Sequence, residues 1–191
     1  MAALALLLTA CAGPAPKPAP EQAEKQAAPQ PIAPETRATF RQAVADLQAG
    51  HYEAAARSLE PLSAPPRAYP GALLNLAIAY RHLDRLDDAE AMLLQVAALR
   101  PAWAAVQNEL GIVHRRRGRF QAAREAYEKA LALDDAYADA HLNLGVLCDL
   151  YLRDLACALT QYKRYQALTP EQNQQVKIWI ADVTRRMEDR K

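Results

Sequence analysis

The chain has 191 residues, of which 23 are Lys or Arg and 22 are Asp or Glu, so its formal net charge is only +1. Electrostatic capture of nucleic acid needs many uncompensated basic residues, so this balance argues against a nucleic-acid partner. Glycine is scarce at 6 residues and 51% of the chain is hydrophobic, a composition that suits one elongated helical domain.

The first residues form a segment that is typical of exported proteins. Residues 1–8 are apolar and run into Leu8-Thr9-Ala10-Cys11, which resembles the lipobox of bacterial lipoprotein precursors. The resemblance implies a signal peptide over residues 1–10, cleavage before Cys11 and acylation of its thiol. The apolar stretch is too short to span a bilayer but long enough for a signal peptide. The alternative is a cytosolic protein with a chance cysteine.

One feature departs from this pattern, because no Lys or Arg precedes the apolar run. Signal peptides normally begin with a basic segment, so we expect the true start codon to lie further upstream.

Residues 11–35 are predicted to be the lipidated cysteine and a tether. More than half of the chain's 13 prolines lie here, and they alternate from Pro14 to Pro20, which blocks helix and sheet and predicts an extended, solvated segment. By similarity to enterobacterial lipoproteins, Ala12 in place of aspartate favours the outer membrane. We therefore expect a periplasm-facing protein held in the outer membrane by its lipid.

From residue 36 onward the sequence repeats every 34 residues, as Ala55, Ala89 and Ala123 show. The position where two helices of one unit would approach is always small, and the predicted turn holds Gly50, Asp84 or Gly118, which suits a left-handed conformation. A period of this length without strand signals predicts stacked helix-turn-helix units. The small residues at the approach are Ala43, Ala77, Gly111 and Gly145.

This pattern resembles the tetratricopeptide repeat family, and the third unit matches best through Leu110-Gly111, Gly118, Phe120 and Tyr127. The resemblance implies an all-α fold, a right-handed superhelical solenoid of about four helix pairs closed by a C-terminal capping helix. The predicted units are a degenerate first repeat at 36–69, repeats at 70–103, 104–137 and 138–171, and a capping helix at 172–191.

Two units depart from the pattern. Pro61 lacks an amide hydrogen and predicts an early end for the second helix of the first unit. The fourth unit keeps the register only if its turn, within residues 149–154, holds one extra residue. Cys148 and Cys157 flank this turn, and we favour two separate buried cysteines over a disulfide.

The last segment is predicted to be one amphipathic helix. Thr169-Pro170-Glu171-Gln172 has the pattern of a capping box with proline at the first helical position. An apolar face would cover the last repeat, and a docking helix for another protein is the alternative. The apolar face comprises Val176, Trp179, Ile180, Val183 and Met187, and the solvated face Lys177, Asp182, Arg185 and Arg186.

The polar residues form no catalytic motif. There is no His-Glu-x-x-His arrangement, no paired-cysteine metal motif, no nucleophile elbow and no phosphate loop. We therefore expect a protein that is not an enzyme and that uses no cofactor and no metal. The scattered histidines are His51, His82, His114 and His141.

In the tetratricopeptide repeat family, the first helices of the repeats line a concave groove, and this resemblance implies the partner-binding residues here. Asparagines can pair with a peptide backbone, and arginines can bind carboxylates. For Arg115 and Arg116 the alternative is a solvated helix end, where cations favour the helix dipole. The predicted groove residues are Asn75, Arg81, His82, Asn108, Glu109, Arg115, Arg116, Asn143 and Asp149.

Together these features predict a non-catalytic scaffold or adaptor lipoprotein. Its groove would hold a protein or extended peptide of an envelope complex, such as a pilus, secretion or energised transport machine. The alternative is an accessory or regulatory subunit of a cell-wall enzyme.

Overall fold

A computed structural model describes residues 32–65, 68–169 and 174–190. The signal peptide, Cys11 and most of the predicted tether lie outside these residues. The described residues contain nine α-helices and one π-helical turn but no strand, so the prediction of an all-α fold is confirmed. Not one of the described helices has both the length and the apolar character needed to cross a membrane.

The helices up to the eighth form four consecutive pairs, and each pair packs on the next. The ninth helix packs on the eighth. The helices are α1 Pro34–Gln48, α2 Tyr52–Ser63, α3 Pro70–His82, α4 Leu86–Leu99, α5 Ala104–Arg116, α6 Phe120–Leu133, α7 Ala138–Leu147, α8 Leu155–Leu168 and α9 Gln174–Glu188.

Each pair reverses direction at a residue with positive φ. Gly50 and Gly118 have φ values of 79° and 72°, and Asp84 and Arg153 have 61° and 56°. Glycine adopts this conformation without strain, whereas a side chain with a Cβ atom makes it costly. The left-handed turns predicted at Gly50, Asp84 and Gly118 are confirmed.

Glycine at the helix approach is required in the third and fourth pairs because a tyrosine ring lies against it. A Cβ atom on Gly145 would lie 2.7 Å from Cδ1 of Tyr162, and one on Gly111 would collide with the ring of Tyr127. Both tyrosines are almost fully buried. The ring of the second helix therefore occupies the space that the missing side chain leaves on the first.

Pro61 lies inside α2, which continues to Ser63 before the chain becomes extended at Ala64. The helix has 12 residues, whereas α4, α6 and α8 have 14 each. The predicted shortening is therefore observed, although the helix ends two residues beyond the proline.

The fourth turn differs from the prediction in its covalent chemistry. The extra residue is accommodated by the π-helical turn Cys148–Leu152, and the sulfur atoms of Cys148 and Cys157 are bonded to each other. The expectation of two separate cysteines is therefore wrong. Because the widened turn and the reversal at Arg153 bring the two Cα atoms to 5.9 Å, they lie at a distance that a disulfide spans.

The last helix, α9, covers the fourth pair as predicted. Val176 and Val183 are buried, and Trp179 packs with the cluster that contains Tyr162. The predicted capping-box residues 170–172 lie outside the described part of the chain. Arg186 was expected on the solvated face, but it is half-buried and forms an ion pair with Asp149.

Candidate interaction groove

The predicted groove residues lie on α3, α5 and α7 and on the π-helical turn. Asn75, on α3, donates its side-chain amide to the carbonyl oxygen of Gly71 at 2.8 Å. This bond lies within one helix, so Asn75 does not connect neighbouring repeats. Five of the other predicted residues fall into three groups, each of which connects neighbouring repeats.

The first group connects α5 to α7. Asn143 donates to Oδ1 of Asn108 at 3.0 Å, and Asn108 also forms a side-chain hydrogen bond with Tyr137. Asn108 is only 2% exposed, and burial raises the pKa of Tyr137 to about 12. Asn108 therefore holds two repeats together, while the half-buried Asn143 is the more accessible member of the pair.

The second group connects α3 to α5. Nε of Arg81 lies 2.8 Å from Oε2 of Glu109, and their side chains are 16% and 13% exposed. Burial raises the pKa of Glu109, while the charge of Arg81 acts in the opposite direction. The two predicted groove residues neutralise each other, and neither supplies a net charge to a ligand.

The third group lies at the turn edge, where arginines of the third repeat pair with acids of the second. Arg116 donates to Asp84 at 2.8 Å and to the carbonyl oxygen of Arg81, and Arg117 pairs with Asp87 and Glu90. The exposed pair of Arg116 with Asp84 contributes about 0–1 kcal/mol. Arg116 is therefore neither a free groove cation nor a simple solvated helix end, because it connects adjacent repeats.

Asp149 and His82 are also engaged within the fold. Asp149 is 9% exposed, pairs with Arg186 and accepts a hydrogen bond from the hydroxyl of Tyr162 at 3.4 Å. The ring of His82 stacks on that of Tyr52 with centroids 4.1 Å apart, and burial followed by the charges of Arg81 and Arg116 lowers its pKa. The carboxylate of Asp149 thus secures the capping helix.

Arg115 differs from the other predicted groove arginines, Arg81 and Arg116. Among the residues that the structure describes, its guanidinium has no hydrogen bond or ion pair, and it acts electrostatically on the hydroxyls of Tyr127 and Tyr162. The Tyr127 hydroxyl is buried without a hydrogen-bond partner, and burial raises the pKa of both phenols. A half-buried guanidinium without an ionic partner among the described residues is available to an anionic group.

Sequence reasoning assigned no role to Leu150 and Tyr151, which follow Cys148 and Asp149 in the π-helical turn. Their exposed fractions are 64% and 46%, and the Tyr151 ring lies 4.8 Å from that of Phe120. The sequence signal for this feature was the extra residue in the fourth turn. That residue indicated an irregular turn but not which side chains the turn would expose.

Three ligand-type groups gather at the same turn. The sulfurs of Cys148 and Cys157 and a carboxylate oxygen of Asp154 lie within 4.8 Å of one another. The sulfurs are bonded to each other, so neither is a thiolate that could bind a metal, and the carboxylate of Asp154 pairs with Arg124 at 2.7 Å.

A separate cavity of about 360 Å³ lies between α4 and α5, and no predicted groove residue lines it. Its lining is Leu99, Arg100, Pro101, Ala102 and Trp103.

These features define a solenoid of stacked helix pairs whose first helices carry interlocking polar side chains. Two tetratricopeptide repeat models match the sequence, one over residues 70–136 and the other over 108–173, and together they span more than half of the chain. The chain belongs to the tetratricopeptide repeat family. Repeats of this family generally serve as non-catalytic scaffolds for protein interactions.

Solved structures share the fold at low sequence identity. TTC0263 from Thermus thermophilus has 24% identity and a TM-score of 0.69, with 78% of this chain and 81% of that chain covered. MamA from Desulfovibrio magneticus has 21% identity and a TM-score of 0.68, with 83% and 89% covered. A chain of the APC/C hetero-tetramer Cut9–Hcn1 has 18% identity and a TM-score of 0.69, with 78% and 29% covered.

Proposed function

We propose that this protein is a non-catalytic adaptor lipoprotein of the bacterial envelope that holds a protein or extended peptide partner of an envelope complex. The observation that carries the proposal is the arrangement of α3, α5 and α7. Polar pairs connect these helices, while the cation of Arg115 has no carboxylate partner among the described residues. Such a surface is suited to binding rather than to chemistry.

The use of the other ionisable groups supports a binding role. Glu109 and Asp154 pair with arginines of neighbouring repeats, and Asp149 pairs with Arg186 of the capping helix. His141 contacts Gln161 at 2.7 Å and the carbonyl oxygen of Asp135 at 3.0 Å. Their polar atoms maintain contacts between helices and are not grouped as a nucleophile with its base.

Three features support the envelope location. Leu8-Thr9-Ala10-Cys11 resembles a lipobox, and the proline-rich segment after it would hold the repeats away from a membrane. The third is the disulfide between Cys148 and Cys157, because disulfides persist in oxidising compartments such as the bacterial periplasm.

The anchor is tested by labelling cells with a palmitate analogue and comparing the natural protein with Cys11→Ser. We expect label on the natural protein in the membrane fraction and none on the variant. Cys148→Ser is the matched control, because it removes a cysteine outside the proposed lipobox and leaves Cys11 in place. Equal labelling of the natural chain and Cys11→Ser would contradict the lipid anchor.

The groove is tested by photocrosslinking in cells, with the photoreactive amino acid at Asn143, at Arg115 or at Leu94. Leu94 is 56% exposed on α4 and belongs to no predicted groove position, so it is the control site. We expect a discrete adduct from the two groove sites and not from Leu94. Adducts of equal yield from all three sites, or none from the groove sites, would contradict the proposal.

Mass spectrometry of the adduct also separates the two function hypotheses. An assembly or transport component supports the adaptor role. A cell-wall hydrolase or synthase whose rate changes on addition of this protein would instead establish an accessory subunit and overturn the adaptor role.

A further inference from the structure

The two cysteines of the disulfide differ in their exposure to solvent. Cys148 is 0% exposed, whereas Cys157 is only half-buried. Exchange of a disulfide begins when an external thiolate attacks one sulfur and expels the other. Because Cys157 is the more accessible of the two, its sulfur is the one that an incoming thiolate attacks, and Cys148 is the leaving group.

The sulfur that leaves has a cation beside it. Nη2 of Arg124, on α6, lies 3.5 Å from Sγ of Cys148. The carboxylate of Asp154 lies within 4.8 Å of both sulfurs, but its charge is compensated by Arg124 at 2.7 Å and by the amide hydrogen of Cys157 at 3.1 Å. A cation next to a sulfur stabilises its thiolate, and a stabilised thiolate leaves faster.

The other sulfur lies at the beginning of a helix. Cys157 is the third residue of α8, directly after the N-cap Asp154. The first turn of a helix favours negative charge and stabilises a thiolate there. Each of the two sulfurs therefore has a positively polarised neighbour when the bond between them opens.

The same turn holds the capping helix. Asp149, the residue after Cys148, pairs with Arg186 of α9 and accepts a hydrogen bond from Tyr162 at 3.4 Å. Both cysteines also belong to the apolar cluster that contains Trp179 of α9. Because the disulfide fixes the residue that precedes Asp149, the position of this carboxylate against α9 depends on the bond.

We propose that the Cys148–Cys157 disulfide is a site of reversible exchange with an external dithiol and that this exchange controls the docking of α9. One thiolate of the dithiol attacks Sγ of Cys157, forms a mixed disulfide there and expels Cys148 as a thiolate. The second thiolate of the dithiol then attacks its own bonded sulfur and expels Cys157. Two electrons pass to the protein, the dithiol becomes a disulfide, and its two protons end on the cysteine thiols.

This role is additional to the scaffold function. The first step is tested with a monothiol, reduced glutathione, which stops at the mixed disulfide when the full chain is quenched early with acid. N-ethylmaleimide in mildly acidic denaturant then labels the freed thiol. Trypsin cleaves after Arg153 and so places Cys148 and Cys157 on separate peptides. We expect glutathione on Cys157 and the maleimide on Cys148. The reverse assignment, or no mixed disulfide, would overturn the proposal.

The contribution of Arg124 is tested by the rate at which dithiothreitol reduces the bond. Arg124→Gln should slow reduction about three- to fivefold, because Cys148 becomes a poorer leaving group. If Arg124 only stabilised the turn, its loss would expose the bond and speed reduction. Arg164→Gln is the control, because Arg164 also belongs to this repeat but lies near Asp135, and it should change the rate by less than about twofold. An unchanged or faster rate in Arg124→Gln would exclude the proposed assistance.

The effect on the capping helix is tested by amide hydrogen exchange of the oxidised and the reduced chain. Reduction should speed exchange in α9 by at least about fivefold and in α3 by less than about twofold, because helix pairs of a repeat array interact mainly with their neighbours. The double variant Cys148→Ser with Cys157→Ser is the control and should not respond to reductant. Unchanged exchange in α9, or an equal increase in both helices, would overturn the switch. Crosslinking at Asn143 tests the scaffold function independently of either result.

Discussion

The third and fourth repeats share their helix packing but differ in the turn between the two helices. In the third, the chain passes from Arg116 to Phe120 through Gly118, whose φ is 72°. In the fourth, the π-helical turn Cys148–Leu152 precedes a reversal at Arg153, whose φ is 56°. Glycine makes the short turn without strain, whereas the longer turn has a disulfide and an N-cap to hold it.

The difference also separates two kinds of surface. Beside the third turn, Arg116 and Arg117 pair with acids of the preceding repeat, so their charges contribute to contacts between repeats. The fourth turn exposes Leu150 and Tyr151 to solvent. A repeat array therefore gains a distinctive surface where one unit departs from the period, and such departures are the first places to examine for a partner.

The largest expected effect comes from opening the fourth turn. Replacing both cysteines, Cys148→Ser with Cys157→Ser, should lower the free energy of unfolding by about 2–3 kcal/mol, because the bond closes a short loop in the unfolded chain. Urea unfolding measures this. Reductant should lower the stability of the natural chain by a similar amount and leave the double variant unchanged. If reductant leaves the free energy of unfolding of the natural chain unchanged, the disulfide does not stabilise the fold.

The next effect tests the packing that the two repeats share. Gly111→Ala and Gly145→Ala should each lower the free energy of unfolding by about 2 kcal/mol, because the new methyl group enters the space of a buried tyrosine ring. Gly71→Ala is the control, since its Cβ atom would lie 3.6 Å from Cζ of Phe40, an ordinary contact. A loss at Gly71 as large as at the other two would rule out ring packing as the cause.

A smaller effect separates the two turns directly. Gly118→Ala should destabilise the fold by about 1 kcal/mol, because alanine is strained at positive φ. Arg153→Gly should raise the free energy of unfolding, by up to about 1 kcal/mol, because glycine relieves the same strain. Thermal and urea unfolding measure both. The two substitutions should change the free energy of unfolding in opposite directions. If Arg153→Gly lowers it, the side chain of Arg153 contributes more stability than the strained φ costs.

The smallest effect concerns pH at the fourth turn. The amide hydrogen of Cys157, followed by the Arg124 guanidinium, lowers the pKa of Asp154 below its ordinary value of 3.8. A lowered folded-state pKa gives stability that is present above the unfolded-state pKa and is lost as the pH falls through the folded-state pKa. Asp154→Asn should therefore cost up to about 1 kcal/mol at neutral pH. Its unfolding free energy should approach that of the natural chain below pH 3.8. A difference that is constant with pH would exclude the carboxylate charge as its source.

Much of the fold was predictable because it depends on local and periodic signals. The spacing of Ala55, Ala89 and Ala123 predicted helix pairs, and Gly50, Asp84 and Gly118 predicted left-handed turns that the structure confirms. Several of the predicted groove residues form contacts between the first helices of neighbouring repeats, as the hydrogen bond between Asn108 and Asn143 shows. Their roles were less predictable, because each residue's partner lies in another repeat.

The period, the helix faces and the small residues at which helices meet can be read from the sequence, since they follow from side-chain size and spacing along one chain. Which charges remain unpaired is evident only once the repeats are packed together. Arg115 and Arg116 are adjacent in sequence, yet Asp84 of the preceding repeat pairs with Arg116, whereas Arg115 has no carboxylate partner among the described residues. Likewise, Arg186 pairs with Asp149 only because α9 packs on the fourth pair. Such pairings depend on distances across the stack, and those distances are set when the helices pack.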